Sequence, residues 1–174
     1  MTFSPRMQNY RESSAVFDGP YRYRLDRAWL PIGQCALVVM LNPSMADADR
    51  DDHTIRRLRQ RLGDANYSGF TGVNFFARIA TRPASLASLG MTQIVGPWND
   101  AYIAKAVWEH ATLLAAWGNP PPFLAEPAKG RVRWLLGLAR GRGISLSCFG
   151  TTRSGHPRHP SRLPRSARLE AWLP

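Results

Sequence analysis

Four short apolar runs punctuate this chain, and each ends in a polar or glycine-bearing loop. Ala36-Leu37-Val38-Val39-Met40-Leu41 is continuous and stops at Asn42-Pro43-Ser44. Gly72-Val73-Asn74-Phe75-Phe76-Ala77, Leu113-Leu114-Ala115-Ala116-Trp117-Gly118 and Ile144-Ser145-Leu146-Ser147-Cys148-Phe149-Gly150 follow the same plan. Short apolar runs bounded by turn residues predict buried strands, the habit of a parallel sheet. Between them the periodicity becomes helical. Ile55, Leu58 and Leu62 recur at helical spacing after Asp51 or Asp52, either of which can cap the first turn. Pro97 through Ala111 predicts a second helix, with Pro97 at a permitted first-turn position. Pro127 through Arg140 predicts a third, with Val132, Leu135, Leu136 and Ala139 inward, and Thr81-Arg82-Pro83-Ala84-Ser85 can start a further short one. Arg56, Arg57, Arg59 and Arg61 fall mostly on the other side of the first helix and read as a solvated face.

Upstream, Val16 through Leu25 reads as a hairpin: Asp18-Gly19 marks the turn, and tyrosines alternate with arginines in strand period. Residues 1–15 are polar and irregular and read as a flexible arm, leaving 16–174 as a single α/β domain. Strands alternating with helices imply a three-layer α/β/α sandwich. Its centre is expected to be a mostly parallel four-stranded sheet with the hairpin attached. Ligands bind such sheets beyond the carboxyl ends of the strands. Asn42-Pro43-Ser44, Asn74-Phe75-Phe76, Trp117-Gly118-Asn119 and the loop after the fourth strand would gather there.

Composition narrows the class. With 174 residues, 44% of them hydrophobic, the chain can bury one core. It has no apolar run of about 18 residues, and Met1 through Arg6 lacks a signal-peptide core, so a cytoplasmic location without a membrane span is expected. Cys35 and Cys148 match no metal spacing and read as buried free thiols. Charge adds more. The net is +11, and residues 129–174 hold ten basic residues against one acid, Glu170. Clustered basic charge is what a face that meets phosphates requires. Arginine outnumbers lysine 21 to 2, which a GC-rich coding bias explains, but that bias does not explain the clustering.

Within that basic region lies Gly155-His156-Pro157-Arg158-His159-Pro160-Ser161-Arg162-Leu163-Pro164. Its prolines make a stiff loop. Imidazoles held among arginines suit an anionic ligand, or a reaction that develops negative charge.

These motifs resemble the uracil-DNA glycosylase superfamily. Val39-Met40-Leu41-Asn42-Pro43-Ser44 is similar to the first motif of its mismatch-specific branch. The Gly72–Arg78 segment with Arg82-Pro83, and Ala115-Ala116-Trp117-Gly118, are similar to the next two strands. His159-Pro160-Ser161-Arg162-Leu163 resembles the His-Pro-Ser loop with its trailing leucine, although Arg162 stands where the superfamily usually has proline. A more extensive resemblance is to a bacterial and phage family, domain of unknown function 1643. It rests on Asn42-Pro43-Ser44, the Ala-Asp and Asp-Asp pairs before Thr54-Ile55-Arg56-Arg57, Asn74-Phe75-Phe76-Ala77 and Gly155-His156-Pro157-Arg158-His159-Pro160.

The glycosylase resemblance implies a role for each matched position. Asn42 would position the attacking water and His159 would stabilise charge on the departing base. An amide cannot act as a general base, so a carboxylate such as Asp47 or Asp52 would assist. Asn74 would read the edge of an extruded base through its donors and acceptor. Phe75, Trp117 and Ser44 complete the expected base site, with Trp117 as a core or pocket wall. Arg153, His156, Arg158, Arg162 and Arg165 would contact DNA, and Leu163 would act as a wedge in the vacated stack. The implied activity is hydrolysis of the N-glycosidic bond of an altered base in DNA, with no cofactor. Two alternatives stand beside it. One is a non-catalytic reader of flipped or modified bases. The other is a nucleotide-processing or DNA base-modification enzyme using a metal at Asp47, Asp49, Asp52 and His53.

Overall fold

The computed structural model describes residues 12–164 and 166–173. Seven strands form one sheet: β1 (Glu12–Asp18), β2 (Tyr21–Ala28), β3 (Cys35–Met40), β4 (Gly69–Asn74), β5 (Leu113–Ala115), β6 (Leu146–Cys148) and β7 (Glu170–Ala171). Their order is β1-β2-β4-β3-β5-β6-β7. The pairings among β4, β3, β5 and β6 are parallel, and those of β1, β2 and β7 are antiparallel. The fold is therefore mixed α/β, and the expected four-stranded sheet is too small. The hairpin extends the sheet, because β2 pairs with β4, Leu25 facing Gly72. β1 starts at Glu12, which corrects the expected arm at residues 12–15. Those side chains are mostly exposed and carry little apolar signal, while their backbone pairs with β2. Residues 1–11 of that arm lie outside the described residues.

Helices cover both faces. They are α1 (His53–Asp64), α2 (Met91–Val95), α3 (Asn99–Glu109) and α4 (Ala125–Gly141). Asp52 is the cap of α1, accepting the Ile55 N–H at 2.9 Å. The strand period of two splits β3 between two cores. Ala36, Val38 and Met40 meet Ile55, Leu58 and Leu62 of α1. Leu37 and Val39 meet Ile103 and Val107 of α3 and Leu135 and Ala139 of α4. Each Val, Leu, Ile or Met side chain among them contributes about 1.5–3 kcal/mol by burial. The chain leaves β3 through α1 on one face and leaves β4 through α3 on the other. That reversal opens a crevice at the carboxyl ends of the central strands.

Three local expectations change. Arg61 of α1 is buried instead of solvated, and Cys35 is exposed at the start of β3 while Cys148 is buried. Pro83–Ser88 is a 3-10 turn, and α2 follows it without a clear sequence signal. Among the described residues, no helix is long and apolar enough to cross a membrane.

One irregularity bears on the site. Val16 faces Arg24 and Phe17 faces Arg22, so Tyr23 is the extra residue of a β-bulge. The bulge reverses side-chain parity. Arg24 and Tyr23 turn to the α3 side, where Arg24 bonds Glu109 and Tyr23 stacks on Tyr102 with ring centroids 5.1 Å apart. Arg22 turns to the α1 side with Leu25 and Arg27, and donates through Nη1 to the Ala46 carbonyl.

Candidate functional site

A cavity of about 620 Å³ lies at the carboxyl ends of β3, β4, β5 and β6. All four strand ends contribute to its wall: Asn42 and Ser44 after β3, Asn74 closing β4, Trp117 after β5 and His159 after β6. Asn42, Asn74 and His159, assigned separate roles by resemblance, thus face one space.

Asn74 is the most unusual of these. It is 1% exposed, and neither its Oδ1 nor its Nδ2 has a hydrogen-bond partner among the described residues. A buried amide without partners costs free energy, on the order of 1–3 kcal/mol per unsatisfied group. Its position is fixed from behind. Asn99, the first residue of α3, donates through Nδ2 to the carbonyls of Asn74 at 3.0 Å and Phe75 at 2.9 Å. Phe75 lies in the core and backs the wall, its ring tilted on Trp117 with centroids 4.8 Å apart. Trp172 meets Trp117 edge-on, with ring centroids 4.9 Å apart. Trp117 is therefore a pocket wall in contact with two rings, and its Nε1–H is also buried without a partner among the described residues.

Asn42 is oriented by the backbone. Its Nδ2 donates to Ala80 O at 2.8 Å and to Pro43 O at 3.1 Å. Both amide protons are thereby used, and Oδ1 remains as an acceptor. His159 has a defined tautomer for a similar reason. Its Nδ1 accepts the Ser161 N–H at 3.4 Å and lies 2.8 Å from Ser161 Oγ. A nitrogen that accepts a backbone N–H is unprotonated, so the neutral ring carries its proton on Nε2. Burial pushes the His159 pKa down to about 4; the Asp52 carboxylate opposes this shift, and Arg162 adds to it. The ring is a neutral donor at pH 7. Gly118 sits tightly against it, with φ +68° and space such that a Cβ would meet His159 Cβ at 3.0 Å. Its N–H donates to Pro157 O at 2.9 Å and ties the β5 loop to the histidine loop.

The shift gives a pH expectation. Because the folded pKa lies below that of the free side chain, the unfolded chain binds more protons between about pH 6.5 and 4. Stability then falls as pH drops through that window and levels off below it. Urea midpoints measured from pH 7 to 4 are expected to fall less in His159→Gln than in wild type. Equal slopes would remove His159 as the cause.

The acidic residues divide. Asp52 lines the cavity; one carboxylate oxygen caps α1, and the other has no partner among the described residues. Asp47 is off the wall. Its carboxylate accepts the N–H groups of Asp49 at 2.9 Å and Arg50 at 2.8 Å, which lowers its pKa and makes it a turn former. Asp51 pairs with Arg27 at 2.7 Å, and His53 is exposed. Of the residues that the metal alternative names, Asp47 closes its own turn and Asp52 caps α1. Among the described residues, no group of three or more His, Cys, Asp or Glu side chains is placed to hold an ion.

The basic residues also divide. Arg153, Arg158 and Arg162 are exposed at the rim of the cavity. His156 supports the loop, its carbonyl accepting the Thr152 N–H at 2.8 Å. Leu163 requires a correction. It is 3% exposed, packed in the core shared with α1, and its carbonyl accepts from Arg57. A side chain already buried cannot serve as a wedge in this conformation. Arg165 lies outside the described residues.

Residues 22–161 match a family model described as Protein of unknown function (DUF1643). The chain belongs to this family. No curated protein and no solved structure gives a significant match. The DUF1643 range runs from Arg22 in β2 to Ser161, whose N–H donates to His159 Nδ1. It leaves out β1 and β7.

Three residues that sequence reading missed belong to this site. Asn99 looked like an ordinary first-turn residue. Arg22 read only as one of the arginines alternating with tyrosines in the hairpin, and Arg27 lies beyond the hairpin's expected end at Leu25. In the structure both arginines are buried on the α1 side of β2 and hold the loop between β3 and α1. Arg27 reaches Asp51 and the carbonyls of Asp47 and Asp26, and Arg22 reaches that of Ala46. The only sequence signal for Arg22 is its place beside the Asp18-Gly19 turn, and nothing there announces a bulge.

Proposed function

We propose that this DUF1643 chain hydrolyses the N-glycosidic bond of an altered base in DNA, with the cavity as the pocket for the extruded base. The observation that carries the reading is Asn74: an enclosed carboxamide on the cavity wall whose donors and acceptor are both unused. The edge of a nucleobase offers the complementary pair. The resemblance to the glycosylase superfamily, in motifs and in the expected arrangement of the central strands, supports the same reading.

The chemistry follows from the three oriented groups. Oδ1 of Asn42 holds a water against C1′ of the sugar. The water oxygen bonds to C1′ as the C1′–N bond breaks, and the electron pair leaves with the base. Nε2–H of His159 donates to the oxygen on which the base carries that charge. A neutral donor suits this task because it stabilises the anion without needing to be charged. The uncommitted oxygen of Asp52 takes the proton of the water. Arg153, Arg158 and Arg162 meet the phosphates of the strand that enters the rim. A carboxylate in the wall favours hydrolysis over a reader that only binds.

The test is a base-release assay on oligonucleotides carrying uracil, hypoxanthine and other altered bases. Wild type is expected to release at least one of them. Asn42→Ala and Asn74→Ala are each expected to slow that release about 100-fold or more. Tight, salt-sensitive binding with no release from any substrate would sink the hydrolase and leave the reader.

A further inference from the structure

Arg22 and Arg27 form an internal comparison. Both are buried on the same face of β2, at 2% and 4% exposure. Every guanidinium nitrogen of Arg27 is satisfied, by Asp51 and by backbone carbonyls. Among the described residues, Arg22 uses only Nη1, on Ala46 O, and its Nε is buried without a partner. It pairs with no carboxylate among the described residues, and burial lowers its pKa to about 10, with Asp52 and Asp47 near enough to oppose that. Only Arg22 lines the cavity. A desolvated, under-bonded guanidinium is costly unless an anion completes it.

The rest of the wall is biased the same way. Among the described residues, four arginines line the cavity against one aspartate, a net of +3 with His159 neutral. Trp117 Nε1–H and Asn74 Nδ2 add two more unused donors. Asp52 is the opposing charge, and one of its oxygens is already spent on the α1 cap.

We infer that Arg22 is a ligand-binding residue that takes an oxyanion, so that the ligand of this cavity is a phosphate-bearing nucleotide rather than a neutral base or nucleoside. The inference borrows nucleotides as the ligand class from the base-pocket reading, but it concerns binding and requires no bond cleavage. A guanidinium fits phosphate through two parallel N–H bonds. The phosphate can be the monoester of a free nucleotide or the diester of a strand.

Calorimetric titration of the full chain with deoxyuridine, its 5′-monophosphate, its 3′,5′-linked dinucleotide and inorganic phosphate tests this. At least one phosphate-bearing nucleotide is expected to bind about tenfold or more tightly than deoxyuridine. A stronger monoester assigns the site to a free nucleotide, and a stronger diester assigns it to a strand. Arg22→Gln is expected to remove the preference, and Arg22→Lys to keep part of it. Arg158→Gln, at the exposed rim, is expected to lose less than Arg22→Gln. Urea midpoints check that each variant is folded, and if Arg22→Gln is not, the Lys variant decides. Equal affinity for deoxyuridine and its phosphates, no binding of any phosphate-bearing probe, or a preference that survives loss of the guanidinium overturns the inference. Base release is not scored, so absence of hydrolysis leaves this result standing and sinks only the catalytic reading.

Discussion

His159→Ala is expected to slow base release about 100- to 1,000-fold, the usual cost of removing one preorganised donor to a developing anion. Binding of the same oligonucleotide should change little, because a neutral ring adds no charge to the interface. The pair of measurements separates the two roles an imidazole can play. His159 is held as a donor by Ser161, and burial keeps it uncharged down to about pH 4. Its contribution to the rate should therefore be flat from about pH 8 to 5. A rate that rises as pH falls through that range, and loses this rise in His159→Ala, would mean that the cation acts instead. His159→Gln keeps an N–H donor and should recover part of the loss.

The largest effect on stability is expected at Arg27. Arg27→Met keeps most of the volume but leaves the Asp51 carboxylate and the carbonyls of Asp26 and Asp47 without their donor. Breaking a buried pair from one side costs about 3–5 kcal/mol. Asp51 is partly hydrated, at 20% side-chain exposure, so the lower end, about 3 kcal/mol, is expected. The urea midpoint should fall with its slope unchanged. Asp51→Asn in the same background should cost far less than it does alone, because the pair is then already broken. Arg24→Met is the comparison, since its partners Asp26 and Glu109 lie nearer the surface and its loss should cost about 1 kcal/mol or less. A loss at Arg27 no larger than at Arg24 would show that the loop between β3 and α1 does not depend on its buried anchor.

What could be read from the sequence follows the length over which a pattern repeats. β3 is a continuous apolar run, and α1 carries both a stripe and a cap, so their places and Asp52 were legible. β4 was expected over 72–77 and lies three residues earlier, at Gly69–Asn74, where Thr71 breaks the apolar pattern. The cavity was legible as an edge, because each apolar run ends in a polar or glycine-bearing loop and a parallel arrangement brings such ends together. β7 was not, since two residues carry no period. Glu12 through Ala15 gave no signal because an edge strand is held by its backbone, which any side chain permits. Arg22 was hidden by a single inserted residue. Strict alternation puts it with Arg24, and only the bulge at Tyr23 moves it across the sheet. Leu163 failed differently. A leucine after a stiff loop matches a wedge in sequence, but its burial depends on the groove beside α1, which forms only in the folded chain.

The most direct test of the base-pocket account is base release in water enriched in ¹⁸O, followed by mass analysis of both products. The expected result is a free base without label and an abasic oligonucleotide carrying one labelled oxygen at C1′, with both lost in Asn42→Ala. Label in the base, or an intact strand that binds the protein and releases nothing, would contradict the account.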